Sequence, residues 1–275
     1  MFSAVLFDYF NTCTTAVVRG DGHRRTAEVL GVDPDAWLAL LDRTFDARAT
    51  GAHGSVLAGL RALCAELGAA PRPDQLRRAA ELRILSLQQD APPRPETEPV
   101  LRLLRARGIR TAVVSDCWFE LPSVLPDTRI GRLFDAGVYS SQVGHAKPHP
   151  AMYRTACERL GVHPEACLYV GDGGGHELTG ARRFGLTAVQ LDAPDLGDHL
   201  TFHADVDWDG ARITSLAEIP DLVFGAGAGL DDRLVEARLD DGLAGAGIDD
   251  GLVGAVLDDG RERLPAGSGA PMLDW

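Results

Sequence analysis

Four short apolar runs limit most strongly what this chain can fold into: SAVLF at 3–7, IRTAVVS at 109–115, CLYVG at 167–171 and LTAVQL at 186–191. Each is close to continuously apolar, the pattern of a parallel strand covered on both faces. Helical stretches at about 98–107 and 149–160 precede the second and third runs. Strands alternating with helices of about 10–15 residues predict an α/β fold, a doubly wound parallel sheet.

Between the first run and the second, residues 14–91 contain nothing strand-like. Asp33-Pro34 opens a segment with Trp37, Leu40, Leu41 and Phe45 at helical spacing, Pro taking the favoured first-turn position. Val56, Leu57, Leu60, Leu63 and Leu67 form a second such face, and residues 75–89 a third. This is too long for a loop joining a strand to a helix, so an inserted all-helical cap domain is expected. The division predicted is an α/β core of residues 1–13 and 92–222, a helical cap of 14–91, and a tail of 223–275. The tail repeats every nine residues (Leu230-Asp231-Asp232, Leu239-Asp240-Asp241, Ile248-Asp249-Asp250, Leu257-Asp258-Asp259) and carries 11 acids against 4 bases. Without the paired glycines of a calcium-binding β-roll, it reads as a low-complexity acidic segment, disordered or loosely helical, open to contact with a partner protein.

Charge and composition narrow the function. A formal net charge of −13 gives no electrostatic support to a nucleic-acid-binding face. No apolar run approaches the roughly 20 residues of a membrane span, and the apolar start reaches Asp8 too soon for a signal peptide. Five cysteines without a C-x-x-C pair are neither a disulfide framework nor a zinc site, and fit a reducing cytoplasm. The chain also has a single lysine, Lys147, against 26 arginines, and a single asparagine, Asn11. Coding bias explains such scarcity but not where the survivors sit, and Arg cannot replace Lys where a compact ammonium is needed.

In an open parallel sheet, ligands bind beyond the carboxyl ends of the strands. The first run ends in Asp8-Tyr9-Phe10-Asn11-Thr12 and the second in Ser115-Asp116-Cys117. Gly144-His145-Ala146-Lys147-Pro148 precedes a helix, and the third run ends in Gly171-Asp172-Gly173-Gly174-Gly175-His176-Glu177. A carboxylate, a hydroxyl, the one lysine and a second carboxylate thus meet at one edge. The glycine-rich stretch completes neither G-x-G-x-x-G nor a phosphate-binding P-loop. Cys13 and Cys117 read as buried thiols; His145, His149 and His176 read as rim residues.

In order and spacing, over residues 1–222, these motifs resemble the haloacid dehalogenase-like (HAD) hydrolase superfamily, and the helical insertion resembles its cap. The resemblance implies a hydrolase of small phosphorylated metabolites in which Asp8 attacks phosphorus and becomes an aspartyl-phosphate. Thr12 and Ser115 would hydrogen-bond the non-bridging oxygens, and Lys147 would offset the charge of nucleophile and phosphate. Asp8, the Phe10 carbonyl and Asp172 would hold Mg²⁺, with Glu177, where the superfamily commonly has Asp, supporting the outer shell.

One departure matters. Phosphatases of this superfamily usually place a second Asp, a general acid and base, where this chain has Phe10. Losing such a group typically costs about 10²–10⁴ in rate, so good leaving groups such as acyl phosphates would be spared. Two alternatives therefore stay open. Superfamily dehalogenases carry an aromatic residue at the Phe10 position, and Tyr153 matches their spacing after Lys147; Asp172 argues for phosphate instead. A non-catalytic relative that binds a phosphate compound or a partner is the other. Arg43 and Arg48 on the cap are candidates to meet an anionic substrate.

Overall fold

The computed structural model describes residues 2–197, 199 and 201–227. The chain runs β1 (Ala4–Phe7), α1 (Gly22–Leu30), α2 (Pro34–Arg43), α3 (Phe45–Ala49), α4 (Val56–Glu66), α5 (Pro73–Asp90), α6 (Thr97–Ala106) and β2 (Arg110–Ser115). It continues through α7 (Glu120–Val124), β3 (Ala136–Tyr139), α8 (Ser140–Val143), α9 (Pro150–Leu160), β4 (Cys167–Gly171), α10 (Glu177–Phe184), β5 (Thr187–Leu191), β6 (Ala211–Ile213) and α11 (Ile219–Phe224). The six strands form one parallel sheet in the order β3-β2-β1-β4-β5-β6. The four apolar runs became β1, β2, β4 and β5; β3 and β6 are edge strands that the sequence reading lacked.

Alternation along the strands builds a core on each face of the sheet. Val5, Phe7, Val113, Val170 and Val189 pack with Val100, Leu101 and Leu104 of α6. Ala4, Leu6, Ala112, Val114 and Tyr169 pack on the other face with Met152, Tyr153 and Leu160 of α9 and Leu178 and Ala181 of α10. Burial on both faces is why these strands are apolar without alternation.

Helices α1 to α5 all lie between β1 and β2, and α1, α2, α4 and α5 surround an apolar cluster of their own, centred on Trp37, Leu40, Leu60, Leu63 and Leu76 and joined by Trp118 from the core. Local chemistry starts these helices. The Asp33 side chain accepts from the Asp35 and Ala36 N–H groups ahead of α2, and the Ser55 hydroxyl accepts from Ala58 N–H ahead of α4. The two chain segments linking this layer to the sheet run side by side. Thr15 N–H donates to the Pro92 carbonyl at 2.9 Å, Val18 N–H to Asp90 at 3.0 Å, and Arg94 N–H to Cys13 at 3.0 Å. The repeat residues of the C-terminal segment lie outside the described residues; Gly225 follows α11 directly.

Candidate active site

Strand order fixes where the chemistry can gather. The chain leaves β1 toward β2 and leaves β4 toward β5, so the crevice opens between the carboxyl ends of β1 and β4. The two carboxylates that follow these strands are therefore neighbours by register: Phe7 pairs with Val170, and Asp8 N–H donates to the Val170 carbonyl at 2.9 Å. Ser115 closes β2 on the other side of β1.

After Asp8 the backbone turns sharply, with Thr14 N–H returning to the Tyr9 carbonyl at 3.1 Å. The turn needs a left-handed residue, and Asn11 supplies it at φ 61°, a conformation that Asn tolerates better than most residues. Its amide then works both ways: Oδ1 accepts from Val17 N–H at 2.9 Å, and Nδ2 donates to Asp172 at 3.2 Å. Arg94 holds the same turn from outside, donating to the Asn11 and Thr12 carbonyls at 2.9 and 3.0 Å. The lone asparagine thus ties the first motif to the fourth.

Lys147 reaches in from the segment ahead of α9. Its ammonium lies 2.5 Å from Asp8 Oδ1 and 2.7 Å from Glu177 Oε2, and all three side chains are buried. Burial alone would lower its pKa; Asp8 and Glu177 outweigh that and push it well above the usual lysine value, so it stays charged. Burial drives the Asp8 carboxyl up, Lys147 pulls it down and Asp172 adds to the rise, leaving it at about 6. Burial likewise pushes Glu177 up against the pull of Lys147. Glu177 Oε2 also accepts from Tyr169 OH at 2.8 Å, and Oε1 from Gly173 N–H at 2.9 Å. Asp172 accepts from Gly174 N–H at 3.1 Å and from His199 Nε2 at 2.8 Å; despite burial, the His199 bond and its other partners hold its carboxyl below the usual range.

Lys147 is the one ammonium among the buried Asp8, Asp172 and Glu177 carboxylates, and even with His199 beside Asp172 the carboxylates outnumber their cationic partners. Carboxylate oxygens of Asp8, Asp172 and Glu177 all lie within 4.8 Å of one another, a hard oxygen set of the kind Mg²⁺ takes. The Thr12 hydroxyl is buried without a hydrogen-bond partner, and that of Ser115 is buried beside the Cys117 thiol. Buried hydroxyls are normally satisfied; these two sit in the turn after β1 and at the end of the neighbouring β2, and neither residue is among those lining the cavity.

The structure therefore brings Asp8, Lys147, Asp172 and Glu177 into one cluster, with Thr12 and Phe10 in the turn after Asp8 and Ser115 at the end of the neighbouring strand; the Phe10 ring packs edge-on against Tyr9. A cavity of about 250 Å³ opens above them, lined by Asp8, Phe10, Asp116, Lys147 and Asp172 from the core and by Arg48, Arg83, Phe45 and His23 from the helical layer. Asp116, from the second motif, accepts from Lys147 N–H at 3.0 Å. Four sequence candidates fall elsewhere. Arg43 is more than half exposed and pairs with Glu66 at 3.2 Å. His145 and His149 stack on each other at 3.8 Å, outside the described lining. Tyr153 is fully buried behind the site, its hydroxyl donating to the Glu177 carbonyl at 2.8 Å. Cys117 lines the cavity, but burial and Asp116 push its thiol far above the range of a nucleophile. His199 and Arg83 carry no motif that marks them in the sequence, and only tertiary contact brings them here; Trp118 directly follows the second motif.

A family model described as haloacid dehalogenase-like hydrolase matches residues 2–185. Among curated relatives, a glyceraldehyde 3-phosphate phosphatase of Methanopyrus kandleri is 35% identical over 36% of this chain and 43% of its own. An (S)-2-haloacid dehalogenase of Burkholderia cepacia is 28% identical over 42% and 50%. A phosphoserine phosphatase of Thermus thermophilus is 34% identical over 36% and 40%. The chain thus spans half or less of the length of these three relatives. Of solved structures, a 2-haloacid dehalogenase from Pseudomonas syringae superposes with a TM-score of 0.60 at 21% identity, covering 81% of this chain and 98% of its own. A HAD family enzyme from Bacteroides thetaiotaomicron, in complex with magnesium and inorganic phosphate, gives 0.54 at 14% identity over 70% and 96%.

Proposed function

The chain belongs to the haloacid dehalogenase-like hydrolase family, and from that premise we propose that it is a Mg²⁺-dependent, phosphatase-type hydrolase of a small phosphorylated metabolite. The observation that carries this reading is the charge deficit around Asp8, where buried carboxylates outnumber the ammonium; two buried hydroxyls on the adjoining strand ends, those of Thr12 and Ser115, lack firm partners. A tetrahedral anion with its cation fills both needs.

In this reading an Asp8 oxygen attacks phosphorus in line with the departing alkoxide or carboxylate; the bond from phosphorus to the leaving oxygen breaks and an aspartyl-phosphate forms. Water then cleaves that acyl phosphate and restores Asp8. Thr12 and Ser115 donate to the non-bridging oxygens, and Lys147 offsets their charge while holding Asp8 in place. Asp8, the Phe10 carbonyl and Asp172 would hold Mg²⁺, which when bound supplies the remaining neutralising charge. Both Glu177 oxygens already accept hydrogen bonds, so its part is to orient Lys147 and the loop behind the metal. Phe10 presents a ring where a proton would be needed, which favours substrates whose leaving group departs unprotonated.

The test is hydrolysis of p-nitrophenyl phosphate by the full chain. Activity with Mg²⁺, lost in EDTA and in Asp8→Asn, supports the reading; equal activity in Asp8→Asn overturns it. One observation favours a second reading, dehalogenation: the aromatic Phe10 beside the nucleophile, apolar as a haloacid site would be. Tyr153, the other residue that suggested it, points at the Glu177 backbone. Halide release from 2-chloropropionate in EDTA would establish that reading.

A further inference from the structure

The part of the cavity wall supplied by the helical insertion carries Arg19, Arg48 and Arg83 beside Asp46 and Asp90, and the hydrolytic centre uses neither Arg48 nor Arg83. Arg48, on α3, is 7% exposed. Its guanidinium donates to the Leu41 carbonyl at 2.6 Å and the Thr44 hydroxyl at 3.2 Å, and no carboxylate lies within ion-pair distance of it among the described residues. Burial and the nearby Arg83 charge push it down to about 10, still charged at neutral pH. Arg83, on α5, pairs through Nε with the buried Glu120, while its Nη1 is buried with no partner. The two guanidinium carbons lie 5.2 and 5.3 Å from the centre of the same Trp118 ring. The charges of Glu120 and Asp42 reach Arg48 without an ion pair; a buried charge so loosely balanced costs stability, and a donor aimed at nothing adds to that cost. Both are tolerable where a ligand supplies the missing partner.

We propose that Arg48 and Arg83 form a second anion-binding subsite in the cavity roof, so that the substrate is a small phosphorylated compound bearing a second anionic group, a carboxylate in the simplest case. Trp118 fixes the two guanidinium planes, and Leu87 and Phe45 give the intervening wall an apolar surface. At about 250 Å³ the cavity is smaller than the roughly 300–1,000 Å³ of pockets for drug-sized ligands, which restricts the compound to a few carbons. His23 refines the fit. Its Nε2 faces Asp90 at 2.9 Å and Nδ1 is buried without a partner. Asp90 can only accept, so Nε2 carries the proton and Nδ1 offers a lone pair, suited to a substrate hydroxyl.

The position of the phosphate in this assignment rests on the Asp8 reading; the subsite itself does not, and the experiment separates them. With Mg²⁺, kcat/KM is compared for phosphoglycolate and ethyl phosphate, which differ by the carboxylate. The wild-type chain should prefer phosphoglycolate by about 10-fold or more. The ratio should fall to within about twofold in Arg48→Met and recover in part in Arg48→Lys. Equal rates on the two esters, or an unchanged ratio in Arg48→Met, would overturn the subsite while leaving the phosphatase reading intact. Independently, succinate, which has no phosphorus, should raise the thermal midpoint of the wild-type chain and not that of Arg48→Met. That result with no phosphate ester hydrolysed would sink the phosphatase reading and keep the subsite. No shift in wild type, or an equal shift in the variant, would sink the subsite.

Discussion

Replacing Asp8 with Asn should abolish turnover and, in metal-free buffer near pH 7, make the protein more stable. The carboxyl stands at about 6 in the folded chain against an ordinary value of 3.8, because burial and the Asp172 charge outweigh the pull of Lys147. A group whose folded pKa is raised contributes stability that is fully present below the unfolded value and is lost as pH rises through the folded one. Here the loss runs from about pH 4 to just above pH 6. Between 3.8 and about 6, it amounts to about 3 kcal/mol at neutral pH. Asparagine, neutral at every pH, does not incur it. Urea unfolding in EDTA at pH 7 should therefore place Asp8→Asn about 2–3 kcal/mol above wild type, with the gap closing toward pH 4. Mg²⁺ should also narrow the gap, since a cation that binds the folded wild type better stabilises it more. An Asn variant less stable than wild type at pH 7 in EDTA would refute this reasoning. It would mean that Lys147 stabilises the carboxylate more than burial penalises it.

Three other outcomes are expected. Phe10→Asp, by restoring a carboxyl two residues after the nucleophile, should raise turnover of alkyl phosphates by about 100-fold or more with little change on p-nitrophenyl phosphate; a folded variant with no gain would contradict the account of the missing acid. Asp172→Asn should raise the Mg²⁺ concentration for half-maximal activity by about 10–100-fold, on the scale at which weakened metal shells lose affinity, and a magnesium titration would show it. Gly171→Ala would drive its methyl into the Glu177 carboxylate, which cannot move aside because Lys147, Tyr169 and Gly173 hold it. A loss of about 1–3 kcal/mol in chemical denaturation is expected, and unaltered stability would show that the acid has room.

What the sequence made legible follows burial. The strands β1, β2, β4 and β5 are interior or nearly so, and continuous apolar runs announced them. The strand β3 is Ala-Gly-Val-Tyr, half-covered at an edge, and β6 is three residues long with two exposed; neither buries enough side chain to leave a pattern. The site was legible because scarcity marked it: the only Lys and the only Asn both sit at its centre. Arg48 was no more conspicuous than Arg43 five residues earlier. One turns outward to Glu66 and the other inward to the cavity, a difference set by how α3 packs after α2. Arg83 and Trp118 lie 35 residues apart and meet only through folding. A wall assembled from separate helices leaves no spacing to read.

The adjacency of the two linkers, Thr15 beside Pro92 and Val18 beside Asp90, has a consequence for how such a molecule diversifies. Because the chain departs from the sheet and returns at nearly one point, whatever lies between is spliced in without stretching the scaffold, and closing a longer excursion adds little entropy cost. The roof is thus an exchangeable cassette. A chimera carrying another insertion on the same paired stalk would keep the hydrolytic floor and change what it admits.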